Sequence, residues 1–233
     1  MAQDIGQAGV RARDGRAGLP ARNAAKDASR DTPRDGGTRQ RIMDVARAAI
    51  LEKGFDATSI DEITAATGIT KGGFFYHFPD KNALAIALIE EYAAEEDRMF
   101  DDLGRQAEAL ADDPLEALLI FLKLMAQILD DIPSGHPGCL VATFAYQERL
   151  FRADVIAANR QAVTAWRDRF GAMFRAIEAT RTPRTPIPAA DLADMVSTTV
   201  EGGLVLSKAF GDPTVTARQI LALRGLIRAH YAG

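Results

Sequence analysis

From residue 38 onward, apolar residues recur at intervals of three and four positions, which is the period of one face of an α-helix. The first apolar stripe extends from Ile42 to Ile50. It lies between Thr38, a good N-cap residue, and Gly54, which can end a helix. No stretch of useful length alternates apolar and polar residues as a half-exposed strand would. The pattern therefore predicts an all-α chain.

Two short helices follow the first one. The second helix is predicted to begin at Ser59, three residues before Glu62 as in a capping box, and to end at Gly68. Thr70 caps a third helix that runs to about His77. The remaining helices are expected, in chain order, over residues 81–105, 114–130, 138–150, 153–179, 192–210 and 213–231.

Residues 1–37 differ in composition from the rest of the chain. They are rich in Gly, Ala, Arg and Asp, contain no aromatic residue, and cannot bury enough surface to offset the entropy lost on ordering. We predict a disordered N-terminal arm. Its arginines either contact DNA phosphates or are simply solvated.

Composition narrows the class of protein. Of the 233 residues 47% are hydrophobic, yet no apolar run reaches the length of a membrane span, and no signal peptide is evident. The single cysteine excludes an intrachain disulfide framework, so we expect a cytoplasmic protein with no membrane partner. The net charge of −4 disfavours non-specific coating of nucleic acid but allows a local DNA-binding face.

The three short helices with a glycine between the second and third have the layout of a helix-turn-helix. In that motif one helix enters the major groove and its neighbour crosses it to hold it in place. The turn needs a residue at positive φ, which Gly68 adopts without a Cβ clash.

The amino-acid sequence of this segment is a more specific signal than the helical layout alone. The runs Ala57–Ile63 and Thr67–Phe78, followed by Asp80-Lys81 and Ala83-Leu84, resemble the N-terminal domain of the TetR family of repressors. The resemblance implies a three-helix DNA-binding domain over 38–98, with its helix-turn-helix over 59–78, and a C-terminal helical bundle over 99–233 for ligand binding and dimerisation.

The resemblance also implies a set of DNA-contacting residues. These are Ser59, Thr70, Lys71, Gly72, Gly73, Phe75, Tyr76, His77 and Lys81. Phosphate contacts would come from the helix entry and from the tyrosine, histidine and lysines, while the two glycines would allow a close approach to the bases. The family usually has a tyrosine where this chain has Phe75, so one phosphate-seeking hydroxyl is missing.

The C-terminal half is expected to regulate DNA binding. The resemblance implies a homodimer on a palindromic operator, released by an unknown small-molecule effector. Candidate pocket residues are Met125, Cys139, Phe144, Tyr146, Trp166, Phe170 and Met173, and each is equally an ordinary core residue. Candidate dimer-interface residues are Gly202, Gly203, Leu206, Phe210, Leu223 and Ile227.

Two rival interpretations remain open. A helical enzyme is disfavoured because the sequence shows no metal-ligand spacing, no phosphate loop and no nucleophile–base set, and we expect no cofactor and no metal. The other rival is a ligand-binding or electrophile-sensing protein with weak DNA recognition. Cys139 follows Pro137-Gly138 at a predicted helix start, where the helix dipole lowers the pKa of a thiol.

Overall fold

The structure is a computed structural model of the chain, and it describes residues 36–232. The predicted N-terminal arm falls outside the described residues except for Gly36 and Gly37. These two glycines belong to the first helix, which therefore starts two residues before the predicted cap at Thr38.

Every regular element of residues 36–232 is helical, which confirms the predicted all-α class. The elements are α1 (Gly36–Lys53), α2 (Ile60–Thr67), α3 (Lys71–His77), α4 (Lys81–Glu108), α5 (Pro114–Asp130), α6 (Leu140–Tyr146), a 3-10 helix (Glu148–Leu150), α7 (Ala153–Glu178), α8 (Ala189–Phe210) and α9 (Val215–Tyr231). Over this same range no helix is both long enough and apolar enough to cross a bilayer.

The helix ends in the N-terminal part follow the predicted capping chemistry. Ser59 Oγ accepts a hydrogen bond from the backbone N–H of Glu62 at 3.1 Å. Gly68 ends α2 in the left-handed region with φ 71°, where a Cβ would be strained. Asp80 caps α4 by accepting a hydrogen bond from the backbone N–H of Ala83 at 2.8 Å.

The single helix predicted over 138–150 is wrong. Gly138 has φ 127°, so helical geometry starts only at Leu140. Gln147 leaves helical geometry with φ −112° and ψ 20°, and a separate 3-10 turn follows. The side chain of Gln147 bonds to the backbone of another segment, a tertiary contact that helical periodicity does not reveal.

The buried apolar residues form two clusters. One joins α1, α2, α3, the first half of α4, α6 and the start of α7. The other joins the second half of α4 with α5, α7, α8 and α9. The helix α4 contributes to both clusters and runs unbroken through residue 98, where the domain boundary was predicted. Thus α6, which follows that boundary in sequence, packs with the N-terminal cluster.

Candidate nucleic-acid interface and ligand cavity

The short helix α3 is fixed to the protein by one face. Phe74 is fully buried, and its ring centroid lies 5.9 Å from that of the buried Phe78. The opposite face carries four exposed residues. They are Lys71, Gly72, Phe75 and Tyr76. One side of α3 is thus anchored in the core, and the other side is open to solvent.

The N-terminal turn of α3 is capped and lies beside α2. Thr70 Oγ1 accepts a hydrogen bond from Gly73 N at 3.1 Å. The ammonium of Lys71 lies 2.7 Å from a carboxylate oxygen of Asp61, and both side chains are largely exposed. An exposed ion pair of this kind contributes little to stability, so a phosphate can replace Asp61 as the partner. Ser59, the cap of α2, is exposed as well.

Two of the residues expected to contact phosphate are turned partly inward. Lys81 donates a hydrogen bond to the carbonyl of Phe55, and its ammonium lies 4.0 Å from the Phe55 ring centroid. Burial lowers the pKa of Lys81. His77 is half-buried, and its ring packs edge-on against Tyr76 with centroids 5.1 Å apart. Lys81 must leave the Phe55 carbonyl before it can reach a phosphate.

A side chain that follows α6 contacts the segment between α1 and α2. The side-chain oxygen of Gln147 accepts a hydrogen bond from the backbone N–H of Phe55 at 2.8 Å. The Phe55 ring also packs on Phe144 and Phe151, with centroids 5.7 and 4.5 Å away. The structure thus places Gln147 against the turn between α1 and α2.

One cavity lies between α4, α6, α7 and α8, and an adjoining one lies between α4, α5, α7 and α8. Their volumes are about 110 and 50 Å³. Four residues line both cavities: Glu96, Cys139, Trp166 and Glu201. The remaining wall is mostly apolar.

The predicted pocket residues are only partly brought together. Cys139 and Trp166 line both cavities, and Met125 lines the smaller one. The other predicted residues lie elsewhere. Phe144 and Met173 line separate cavities, and Phe170 is fully buried in the aromatic core beside Phe100 and Phe121. Tyr146 is 84% exposed and is not part of the wall of either cavity.

Sequence reasoning missed the two glutamates. Glu96 accepts a hydrogen bond from the indole N–H of Trp166 at 3.0 Å and another from Tyr92. Glu96 extends the stripe of Leu88 and Tyr92 by one further step of four residues. An acidic residue in register with an apolar stripe was the signal that could have found it. Glu201 hydrogen-bonds Cys139.

Burial changes the pKa values of the two glutamates, Glu96 and Glu201. It raises the pKa of Glu96 to about 7, and it raises the pKa of Glu201 as well. Within residues 36–232 neither carboxyl pairs with a basic side chain. The cavity wall therefore holds two carboxyl groups whose negative charge is uncompensated when they ionise.

We expect replacement of Glu96 by glutamine to flatten the pH dependence of stability. The folded protein keeps the Glu96 proton up to about pH 7, whereas the ordinary pKa is 4.5, so the free energy of unfolding falls as pH rises between these values. The loss for this group is about 3 kcal/mol. Urea denaturation of both proteins at pH 5 and pH 8, at one protein concentration, measures it. The exposed Glu90→Gln on the same helix is the control, and an unchanged pH dependence in Glu96→Gln contradicts the assignment.

The expectation that Cys139 has a lowered thiol pKa is wrong. Burial and the neighbouring Glu201 raise the pKa of Cys139. The thiol does cap α6, with Sγ 3.4 Å from the backbone N–H of Ala142, but this contact is outweighed. Because the thiolate is the reactive form, this environment disfavours the electrophile-sensing alternative.

The predicted dimer-interface residues divide into two groups. Leu223 and Ile227 are buried in the chain's own core, and Gly203 packs against α9, where a Cβ would lie 2.9 Å from Thr216 Cα. These three predictions are incorrect, because the residues face inward within one chain. The others, Gly202, Leu206 and Phe210, are exposed. Further exposed apolar side chains of α8 and α9 are Met195, Val205, Leu221 and Leu226.

Two family models match the chain. Residues 42–88 match the model of bacterial regulatory proteins of the tetR family. Residues 114–216 match the C-terminal domain of LmrA/YxaF-like transcriptional regulators. The first match covers most of α1, all of α2 and α3 and the first eight residues of α4, and the second covers α5 to α8 and the start of α9.

Curated relatives give the same assignment. The transcriptional regulator AcuR of Cereibacter sphaeroides is 29% identical over 133 residues, which are 56% of this chain and 58% of AcuR. The repressor DhaR of a Mycobacterium species is 26% identical over 47% of this chain and 51% of its own length. The chain thus matches between half and three-fifths of these two proteins. The regulator YxaF of Bacillus subtilis is 26% identical over 77% of this chain and 89% of YxaF.

Solved structures share the fold. A TetR-family regulator from Agrobacterium tumefaciens superposes with a TM-score of 0.69 at 24% identity, covering 84% of this chain and 98% of that one. A TetR regulator from Chloroflexus aurantiacus gives a TM-score of 0.66 at 26% identity, over 82% and 94% of the two chains. The chain therefore belongs to the TetR family of bacterial regulatory proteins.

Proposed function

We propose that this protein is a sequence-specific, double-stranded-DNA-binding transcription regulator, a repressor released by a small molecule in the C-terminal half. The observation that carries the proposal is the exposed face of α3, opposite the buried Phe74, in the second helix of a helix-turn-helix. A helix presented in this way fits the width of the major groove.

Each group on this face has a role in the proposed complex. The capped N-terminus of α3 and Lys71 favour phosphate, and Tyr76, which is 72% exposed, donates its hydroxyl to the backbone. Gly72 and Gly73 let the helix axis approach the base edges. Phe75, 47% exposed, offers an apolar contact to a thymine methyl group.

The exposed apolar surface of α8 and α9 supports a homodimer. Gly202 and Gly225 have open space where a Cβ would stand, so a second pair of helices can approach closely. Side chains such as Phe210, which is 69% exposed, then lose contact with water. In the proposed homodimer the two copies of α3 occupy half-sites about 34–36 Å apart, which calls for a palindromic operator.

The route from the cavities to DNA runs through α6. Cys139 lies in the cavity wall and caps α6, while Gln147 at the other end of α6 holds the backbone of Phe55. A ligand that favours a different position of α6 therefore changes the support of the helix-turn-helix. The ligand can weaken the free energy of DNA binding by at most the difference between its own binding free energies for the two positions of α6.

Selection of duplexes from a random-sequence pool tests DNA binding directly. We expect enrichment of a palindrome that is bound tightly and with strong salt dependence. Lys71→Ala is expected to weaken binding and to reduce the salt slope by about one per subunit, because a phosphate contact is lost. Lys123→Ala, an exposed lysine on α5, is the control and leaves both unchanged. Failure to enrich any duplex at low salt contradicts the proposal.

A further inference from the structure

The groups that line the cavities accept hydrogen bonds more than they donate them. The carboxyl groups of Glu96 and Glu201 stand in the wall common to both cavities. Two of the nearby donors are already used, since the Trp166 indole N–H bonds to Glu96 and Cys139 bonds to Glu201. Val141, Ala142 and Ala162 contribute apolar wall to the larger cavity. Ser197 adds a hydroxyl group to the same wall.

A third acceptor lies nearby. Asn159 donates its side-chain N–H to the carbonyl of Val141 at 3.1 Å, which fixes the orientation of the amide. Its side-chain oxygen is buried and has no hydrogen-bond partner within residues 36–232. Asn159 lines a cavity of about 190 Å³ that shares Ala145 and Val163 with the larger of the two cavities above. Arg160 and Glu148, both exposed, lie at its rim.

We propose that the cavity between α4, α6, α7 and α8 binds a small organic cation, an ammonium group on an apolar body. The ammonium donates hydrogen bonds to Glu96 and Glu201 and lies against the Trp166 indole, which attracts cations. The apolar body fills the alanine- and valine-lined space, and a volume of about 110 Å³ suits a molecule with a single ring. The inference rests on the proposed function only for the effect of this ligand on DNA.

Electrostatics selects this class over neutral and anionic molecules. Two carboxylates in a poorly solvated wall repel each other and repel an anion, and no basic side chain of the described residues compensates them. A cation removes that repulsion and supplies the donors that the acceptors lack. A neutral molecule of the same shape supplies only the apolar contact.

Trp166 reports binding directly, because it is the only tryptophan in the chain and lines both cavities. We expect 2-phenylethylamine to change its fluorescence saturably at pH 8. The isosteric 2-phenylethanol and phenylacetate should bind about tenfold more weakly or worse, since they lack the charge pair. Equal binding of the three probes overturns the proposal.

Variants assign the effect to the two carboxyl groups. Glu96→Gln and Glu201→Gln keep the size and most hydrogen bonds of the side chains, and each should reduce amine affinity about tenfold while leaving 2-phenylethanol unaffected. Glu90→Gln, exposed on α4, is the matched control and should bind the amine as the parent does. Circular dichroism checks that each variant is folded. Retained amine selectivity in the folded double variant contradicts the site.

The pH dependence gives a second readout. Amine affinity should rise about tenfold per pH unit below pH 7, because Glu96, with a pKa of about 7, must lose its proton to pair with the ammonium. The titratable groups near Glu96 are Tyr92 and Asp97 on α4, Cys139 before α6, His136 in the preceding loop and Glu201 on α8. Burial raises the pKa of Tyr92 and of Cys139, so both groups stay protonated throughout this range, and burial lowers the pKa of His136.

The two proposals fail separately. Loss of amine selectivity in a protein that still binds its selected duplex overturns the ligand class alone. Amine binding to a protein that binds no duplex overturns the proposed regulator alone. Amine binding that leaves duplex affinity unchanged at saturation contradicts the effector role of this cavity.

Discussion

Replacing Phe74 with alanine is expected to lower the free energy of unfolding by about 3–5 kcal/mol, the usual cost of truncating a fully buried phenylalanine. The Phe74 ring is completely buried and packs beside Phe75 and Phe78, so its loss leaves a cavity beneath α3. The helix has only seven residues and depends on this contact for its position. DNA binding should therefore be lost together with stability.

The next residue is the matched control. Phe75 is 47% exposed, and we expect Phe75→Ala to change the free energy of unfolding by less than about 1 kcal/mol while weakening DNA binding. Urea denaturation and duplex titration of the two variants measure the difference. If both variants lose the same stability, α3 is not oriented as described.

Replacing Gly72 with glutamate is expected to reduce DNA affinity about a hundredfold without loss of stability. Gly72 is exposed, and a Cβ there meets only Thr70 Oγ1 at 3.7 Å, an ordinary contact. An acidic residue in the first turn of a helix is itself favourable. In the groove, however, the side chain meets base edges and phosphates, where both its bulk and its charge oppose binding.

The variant Ala94→Glu tests whether the loss of DNA affinity depends on where the negative charge is added or only on the charge itself. Ala94 is exposed near the middle of α4, about 20 Å along that helix from its start at Lys81, and the substitution adds the same charge. It should lower affinity far less than Gly72→Glu, while thermal melting shows all three proteins to be folded. Equal losses of affinity from Ala94→Glu and Gly72→Glu contradict contact between α3 and DNA.

Local chemistry made the N-terminal half predictable. Ser59 determines where α2 begins, Gly68 where it ends and Thr70 where α3 begins, through local hydrogen bonds and a positive φ. Such interactions depend on sequence neighbours, so they can be recognised without a structure. The contact of Lys81 with Phe55 could not be recognised from the sequence, because the two residues are brought together only by tertiary packing.

The C-terminal half was predicted less well for the same reason. Helical periodicity shows that Leu223 is apolar and on a stripe, but not whether that stripe faces its own core or a second chain. It likewise does not show that Glu96 and Glu201, from helices distant in sequence, line one cavity. Both facts depend on how helices pack, which one sequence does not encode in its local pattern.

Methylation protection of the selected duplex by dimethyl sulphate tests most directly whether α3 lies in the major groove of a duplex bound by a dimer. The reagent modifies guanine N7 in the major groove, the atom beside which the exposed face of α3 would lie. We predict two patches of protected guanines, related by two-fold symmetry and one helical turn apart, that disappear with Gly72→Glu. Tight binding that leaves every major-groove N7 reactive, or protects a single unpaired patch, would contradict the account.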